Sequence, residues 1–515
     1  MKKIALFIVA VIVVSMIVKV CAQQNFKSIT PPANTEASPV TYNLTLTYSS
    51  EKGETVGNSL FGANTGFTFK APVDKSPDFL SIAKGLSPAI LRFPGGTIAN
   101  FYHPNAPGYG FKYSEIYGVK ALYPLYAVSQ NMNENILENF IRLCKETGAR
   151  ATFCANLFTG TPDEALSVIR RMKEAGIDLA GVELGNEFNS AMYRNKYPNA
   201  QAYITQAKQY ANAIRGEFPE IPIGVIMGDE VYLTRINSQR VNFQHDWSLS
   251  LASQNFYDAV IVHYYPKCDL CSKQKTNYLE SLFQTNWNAI APYNTKYLDT
   301  LGKYVQTFFP GKKVWVTEWC TGDFYHFNNT FLQAAFTAQF LLYSIDVEDH
   351  YNKVFDIQNF HFLGTDGLIY ETKGKIPPIY SSGKYAASAP YYAFSFLKYI
   401  TQQKGAIHIP DNLTPKPNSN DLILRTFHSN DSTVYVYYVN SGKDNYVINF
   451  TKAPLVYSFE KIKGSHLSSV AGKVYFDNVF PASQLTPIRY EKKTYKGTQF
   501  TADPYSVGYI EFKPW

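Results

Sequence analysis

Cysteine is scarce in this chain, six residues in 515. That density excludes a disulfide framework. Cys21 lies in an N-terminal apolar segment. The other five, Cys144, Cys154, Cys268, Cys271 and Cys320, are odd in number, so at least one thiol is free or paired between chains. Cys268 and Cys271 have the spacing of half a zinc site, but no second pair follows. No metal centre is expected, and a local disulfide bracing a loop is the simpler reading. Cys144, Cys154 and Cys320 sit in apolar company and read as small buried residues. Charge is sparse too. Asp, Glu, Lys and Arg make up 17% of the chain, and the formal net charge of +7 falls to +4 without Lys2, Lys3 and Lys19 of the N-terminal segment. No basic run or recognition motif accompanies that excess, which argues against a nucleic-acid partner. Internal repeats and low-complexity tracts are absent, and no cofactor is expected.

Aromatics are abundant, at 16% with 39 Tyr and 36 Phe. Core packing accounts for most of them, and a minority on loops suits stacking against sugar rings. Residues 1–22 read as a signal peptide. Lys2 and Lys3 give a positive start, Ile4 to Val18 is apolar, and Val20-Cys21-Ala22 offers small residues for cleavage before Gln23. The apolar run is near the lower length limit for spanning, so a retained anchor is the alternative. Export is expected, to a secreted, periplasmic or cell-surface location, with no stable membrane insertion after cleavage. Residues 23–37 read as a flexible leader.

Residues 38–50 hold an alternating strand, TYNLTLTYS. From about 55 to 400, short apolar runs alternate with helical segments, the pattern of a parallel sheet. The runs are SLFGANT, AILRFPGGT, ATFCANL, the segment before Glu187, IPIGVIMG, DAVIVHYYP, KVWVTEW and FDIQNFHFL. Eight in this rhythm predict an α/β fold, a closed (β/α)8 barrel. Thr161-Pro162-Asp163-Glu164 is a helix start by every local rule. Residues 100–132 and 229–257 are long stretches after strand ends, and so candidate substrate walls. From 401 to 515 the rhythm gives way to strands such as TVYVYYVN, NYVINF, KVYFD and YSVGYIEF. They predict a C-terminal antiparallel β-sandwich that also takes in the N-terminal strand.

The candidate chemistry centres on Gly181 to Asn189, GVELGNEFN. A buried run that stops at an amide beside a carboxylate is what a barrel strand looks like where it reaches the barrel mouth. Glu187 is the expected proton donor and Asn186 the group that orients substrate beside it. A second carboxylate should end a later strand, and Glu318 in VWVTEW, 131 residues on, fits. Two carboxylates roughly 5–5.5 Å apart, one protonated and one ionised, are the equipment of a retaining glycosidase. The alternative for either is a buried ion-pair network.

LGNEFNS, VHYYP and PGKKVWVTEW, with GLSPAILRFPGGT upstream, resemble the clan A retaining glycoside hydrolases. The likeness is greatest to the heparanase and beta-glucuronidase family, with alpha-L-arabinofuranosidases next, and covers about residues 55–365. It implies that Glu187 is the acid/base and Glu318 the nucleophile. Asn186 would bond the hydroxyl next to the anomeric carbon, Arg92 would help hold the nucleophile ionised, and Tyr264 would hydrogen-bond it. A guanidinium beside a carboxylate does lower its pKa. His263 fits a satisfied barrel histidine and a substrate contact equally. Gly95, Gly96 and Thr97 form a turn whose backbone can approach a ligand.

Two features depart from the heparanase-type pattern. Pro94 turns RFGGT toward the arabinofuranosidase-type RYPGG. After the nucleophile, WCTGDFYHF carries only Gly322 where that pattern has a Gly-Gly turn for a uronate carboxylate, and Asp323 would repel an anionic sugar. The expectation is a secreted, metal-independent hydrolase of a polysaccharide or oligosaccharide, acting by double displacement through an ester on Glu318. A beta-glycoside of a pyranose comes first, and the mild positive charge is compatible with an anionic polymer. An alpha-L-arabinofuranoside is the alternative within the same chemistry. A catalytically silent carbohydrate-binding barrel is the alternative of another class.

Overall fold

The computed structural model describes residues 38–49, 53–70, 73–106, 109–116, 119, 135–233, 238–266, 279–321, 329–364, 367–371, 381–382, 385–417, 421–451, 456–464 and 488–513. The signal peptide and leader, Cys268 and Cys271, Gly322, Asp323, the strand KVYFD and residues 107–108, 117–118 and 120–132 of the first candidate wall lie outside the described residues. No helix among the described residues is long and apolar enough to cross a membrane.

Strand β1 (Thr41–Tyr48) precedes a closed barrel. The barrel strands are β2 (Gly62–Asn64), β3 (Ile90–Phe93), β4 (Arg150–Ala155), β5 (Leu179–Leu184), β6 (Ile223–Ile226), β7 (Ala259–Tyr264), β8 (Lys313–Trp319) and β9 (Phe355–His361). All eight expected runs are present, each paired in parallel with its neighbours, and β2 closes on β9. Helices start where the sequence places caps. Thr161 accepts from the Glu164 N–H and Glu164 reaches back to the Thr161 N–H, completing a capping box on Pro162–Glu174. The helix Ile136–Thr147 buries Ile136, Leu137, Phe140, Ile141 and Cys144 on one face. Cys144, Cys154 and Cys320 are free and buried.

The closed end of the barrel lumen is filled by Trp315 with Ile90, Ala180, Ala259, Ile261 and Ile357. Gly181 and Gly224 make room for it, since a Cβ at either would run into the indole ring. Its indole N–H donates to Asp356 at 3.0 Å. Polar side chains are thereby displaced toward the other end, where strand C-termini meet.

A small sheet of β10 (Ile369–Glu371), β11 (Ser381–Ser382) and β12 (Tyr385–Ala387) follows the barrel. The helix starting at Ala389 continues as a π-turn to Gln403, across the expected boundary at 400. Next come β13 (Ile407–Ile409), β14 (Asp411–Thr414), β15 (Leu422–His428), β16 (Val434–Asn440), β17 (Asn445–Phe450), β18 (Val456–Lys463), β19 (Arg489–Lys496), β20 (Gln499–Ala502) and β21 (Ser506–Phe512). They form two sheets, β14-β1-β17-β20 and β13-β15-β16-β21-β18-β19. The N-terminal strand is thus interior to the sandwich, parallel to β17 and antiparallel to β14.

Strand β16 is buried along its whole length. Val434, Val436 and Tyr438 face the sandwich interior, while Tyr435, Tyr437 and Val439 pack with the barrel's helices. One core therefore runs from barrel to sandwich. The stretch 229–257, expected as a loop-like wall, is mostly helix, Glu230–Leu233 and Ser238–Ala252, with Trp247 and Leu251 buried in the barrel's outer layer.

Candidate active site

Two positively charged or protonatable side chains organise the barrel mouth, Arg92 at the end of β3 and His263 near the end of β7. Arg92 is completely buried. Its Nε donates to both Glu183 oxygens at 2.8 and 3.0 Å, and its Nη2 donates to Glu183 Oε2 at 2.7 Å and to Asn186 Oδ1 at 3.0 Å. Nη1 reaches Glu318 Oε1 at 2.5 Å. Burial works against this charge, but Glu183 and Glu318 outweigh burial and hold the guanidinium protonated. Arg92 is thus both a structural ion pair and the neighbour of Glu318. Removing one member of such a buried cluster typically costs about 3–5 kcal/mol.

Glu318 is 4% exposed. Besides Arg92, Asn64 at the end of β2 donates to its Oε1 at 3.3 Å, and the Tyr265 hydroxyl donates to its Oε2. Burial opposes ionisation here too, yet His263, His361, Arg92 and the Tyr265 hydrogen bond together hold the carboxyl well below the usual range. Burial pushes His361 down to about 3, so it is neutral near pH 7, and Arg92 is the permanent positive charge beside Glu318. Burial and the adjacent Glu318 hold the Tyr265 phenol well above its ordinary value, leaving it a donor.

The local backbone explains how Glu318 comes to face the mouth. Trp315 and Thr317 point into the lumen, and strict alternation would turn Glu318 outward. The registers of β7 with β8 and of β8 with β9 both shift between Val316 and Trp319. Such an irregularity re-aims a side chain, and it leaves Thr317 and Glu318 both inside.

Glu187 sits just beyond β5, with a side chain 41% exposed. Its φ is 57°, after Gly185 at 89°. Asn100 fixes this elbow from both sides, accepting from the Asn186 N–H at 3.2 Å and donating to the Asn186 carbonyl at 2.9 Å. Asn186 Oδ1 is held by Arg92, while its Nδ2 is buried without a hydrogen-bond partner among the described residues. That amide is free to donate to a ligand. His263 Nδ1 lies 2.8 Å from Glu187 Oε1 and 3.5 Å from Glu318 Oε2. The nearest atoms of Glu187, His263 and Glu318 all lie within 4.8 Å of one another.

Of the expected site residues, the structure brings Glu187, Glu318, Asn186, Arg92 and His263 together. Gly96 has φ 64°, and a Cβ there would sit 3.7 Å from Glu318 Oε1, so its backbone lies close over the carboxylate. Thr97, half-buried, is hydrogen-bonded to Tyr193. Tyr264 is the correction. Its hydroxyl donates to Asn294 at 2.9 Å and its ring stacks on Tyr297 at 4.1 Å, out among the helices. The tyrosine on Glu318 is Tyr265. Alternation along β7 carries the signal, since a strand that turns His263 toward the mouth turns Tyr265 the same way and Tyr264 away. Asn64, Glu183, Thr317 and His361 were also missed. Glu183 was detectable as a lone acid inside the apolar run LAGVEL, which needs a buried partner.

A cavity of about 190 Å³ opens beside Glu187, lined by Asn189, Ser190, Asp229, His263 and Tyr265 over a floor of Ile226, Met227 and Ile261. Glu187, His263 and Glu318 are three ligand-type groups close enough to meet one ion. A divalent cation there would stand against the fixed guanidinium of Arg92, however, so the set is better suited to moving protons.

No protein-family model and no curated protein matches the chain. Solved structures do. The arabinofuranosidase of glycoside hydrolase family 51 from Xanthomonas axonopodis pv. citri superposes with a TM-score of 0.62 at 14% identity, over 92% of this chain and 99% of that one. An alpha-L-arabinofuranosidase from Thermotoga maritima gives 0.60 at 14% identity, over 91% and 99%. A family 44 xyloglucanase from Paenibacillus polymyxa gives 0.56 at 10% identity, over 92% and 100%. The chain shares the barrel-and-sandwich fold of these clan A hydrolases along nearly its whole length.

Proposed function

We propose that this chain is a retaining glycoside hydrolase, with Glu318 as nucleophile and Glu187 as acid/base. One observation carries the reading. Two carboxylates approach within 4.8 Å at the barrel mouth, near the roughly 5–5.5 Å of retaining enzymes and short of the roughly 6.5–9.5 Å that an inverting enzyme needs for its water. The two differ as the mechanism requires. Glu318 is buried, held ionised and bonded by Arg92, Asn64 and Tyr265, so it can attack the anomeric carbon. Glu187 faces the cavity, where it can pass a proton to the leaving oxygen and later take one from water. The spare Asn186 amide is placed to bond a substrate hydroxyl that gains negative character in the transition state.

The substrate we propose is a neutral glycoside. Arg92 is consumed by Glu183 and Glu318, and among the described residues lining the cavity Asp229 adds negative charge. This favours a neutral sugar over the uronide that a heparanase-type likeness implies. A beta-glycoside of a pyranose was the first expectation. The alpha-L-arabinofuranoside reading is favoured by Pro94 and by the arabinofuranosidases among the structural neighbours. Export of the chain belongs to the same proposal and is tested by N-terminal sequencing of protein recovered outside the cell.

A panel of aryl glycosides with 2-fluoro analogues of those that turn over tests the reading. The expected result is slow trapping with the adduct on the peptide that holds Glu318. Binding of sugars with no turnover of any substrate would make the barrel a silent carbohydrate-binding protein instead.

A further inference from the structure

His263 is bound on both ring nitrogens, and its partners differ in what they can accept. Its Nε2 lies 3.2 Å from Thr317 Oγ1, and Thr317 Oγ1 lies 3.2 Å from Glu183 Oε2. Glu183 already receives three hydrogen bonds from Arg92, so it is a carboxylate and only accepts. The single hydroxyl proton of Thr317 must therefore point to Glu183. The opposite orientation would set the hydroxyl and carboxylate oxygens lone pair to lone pair. With that proton committed, Nε2 must carry a hydrogen and donate it to Thr317. The tautomer of His263 is fixed from Arg92 outward, through Glu183 and Thr317.

We propose that His263 is a positioning residue that shares the catalytic proton with Glu187, and that Thr317 holds it in the tautomer this requires. With a hydrogen fixed on Nε2, the neutral ring presents a lone pair at Nδ1, 2.8 Å from Glu187 Oε1. One proton on that line completes the bond, carried as Glu187–OH or as an imidazolium beside a carboxylate. The proton belongs to the pair and not to either group alone.

Among the described residues, the charged and titratable groups around the ring fit this role. Glu318 lies 3.5 Å from Nδ1 and its negative charge favours keeping the proton on the pair, while Arg92 opposes it. Burial opposes a charged ring as well, yet Glu318 and Glu187 together raise the His263 pKa. His361 is neutral near pH 7, Tyr265 stays a phenol, and Asp229 lies across the same cavity.

The arrangement couples to the two chemical steps, and so rests on the acid/base reading of Glu187. In the first step Glu318 bonds to the anomeric carbon, the glycosidic electron pair leaves with the oxygen, and the shared proton goes to that oxygen. Esterification removes the charge of Glu318 that favoured holding the proton, so the emptied pair is ready to accept one. In the second step water loses a proton to the pair, its oxygen bonds to the anomeric carbon, and the ester electron pair returns to Glu318.

The test follows the alkaline limb of kcat/KM against pH, which reports loss of the shared proton. Thr317→Val should lower that limb by about one pH unit, the worth of one hydrogen bond to a charged group. It should slow poor leaving groups at least about tenfold while sparing dinitrophenolate, which needs no protonation. Thr317→Ser should restore both, and His263→Ala should shift the limb as Thr317→Val does. In the native protein, 15N NMR of labelled histidine should show Nε2 protonated throughout the active range. A limb unmoved in both variants, or an Nε2 that loses its hydrogen before Nδ1, overturns the proposal even if Glu187→Gln is inactive. Full activity in Glu187→Gln would instead remove the acid/base reading beneath it.

Discussion

At the scale of single residues, three hydrogen-bond donors among the described residues define the nucleophile. Arg92 supplies fixed charge, while the Tyr265 hydroxyl and the Asn64 amide are neutral donors to the charged carboxylate. Tyr265→Phe removes a donor to an ionised group, worth about 1.5–3 kcal/mol, and should lower kcat about 10–100-fold. Tyr264→Phe removes the bond to Asn294, away from both carboxylates, and should leave kcat unchanged while costing stability about 1 kcal/mol. Steady-state kinetics and thermal unfolding of the pair check this, and the opposite ranking would return Tyr264 to the site. The sequence made Glu187 and Glu318 legible because each ends a buried strand. It hid Tyr265 behind an identical neighbour, and it hid Thr317 because a backbone irregularity that turns two successive side chains inward leaves no trace in composition.

At the scale of elements, the barrel was readable because its strands are mostly apolar runs between turn residues. The sandwich was less so. Strand β19, RYEKKTYK, is largely exposed and shows no apolar face, as suits an edge protected by lysines. Strand β16 gave the opposite problem, being buried on both sides. Gly181 and Gly224 became intelligible only with Trp315 in place, because the lumen plug is chosen by space across the barrel and not by neighbours in sequence. Trp315→Ala should empty that space and lower stability by about 3–5 kcal/mol. Urea unfolding should show the loss at unchanged m-value. A loss under about 1 kcal/mol would mean that the lumen closes around the gap.

At the scale of the whole molecule, barrel and sandwich are joined along the helix Phe331–His350. Asp346 pairs with Arg425 of β15, and Asp349 with His408 of β13 at 2.8 Å. Between them Glu348 is buried against the backbone of Gly57, where the chain passes from β1 into the barrel. Burial pushes Glu348 up to about 7. An unfolded glutamate titrates near about 4.3, so between those values the folded state holds a proton the unfolded state has released. Stability should therefore fall as pH rises from about 4.3 to 7, with the full penalty present above 7. Glu348→Gln should flatten that part of the profile of melting temperature against pH. A profile identical to the unsubstituted protein would place the titrating group elsewhere.

The division of labour between Glu187 and Glu318 is tested most directly by the stereochemistry of azide rescue. Each glutamate is replaced by alanine, an activated aryl glycoside is supplied with sodium azide, and the glycosyl azide is read by NMR. Glu187→Ala should yield the azide with the configuration of the substrate, because a glycosyl ester on Glu318 has formed first. Glu318→Ala should yield the inverted azide, because azide then attacks in place of the missing carboxylate. The two configurations exchanged, or inversion from both variants, would contradict the account.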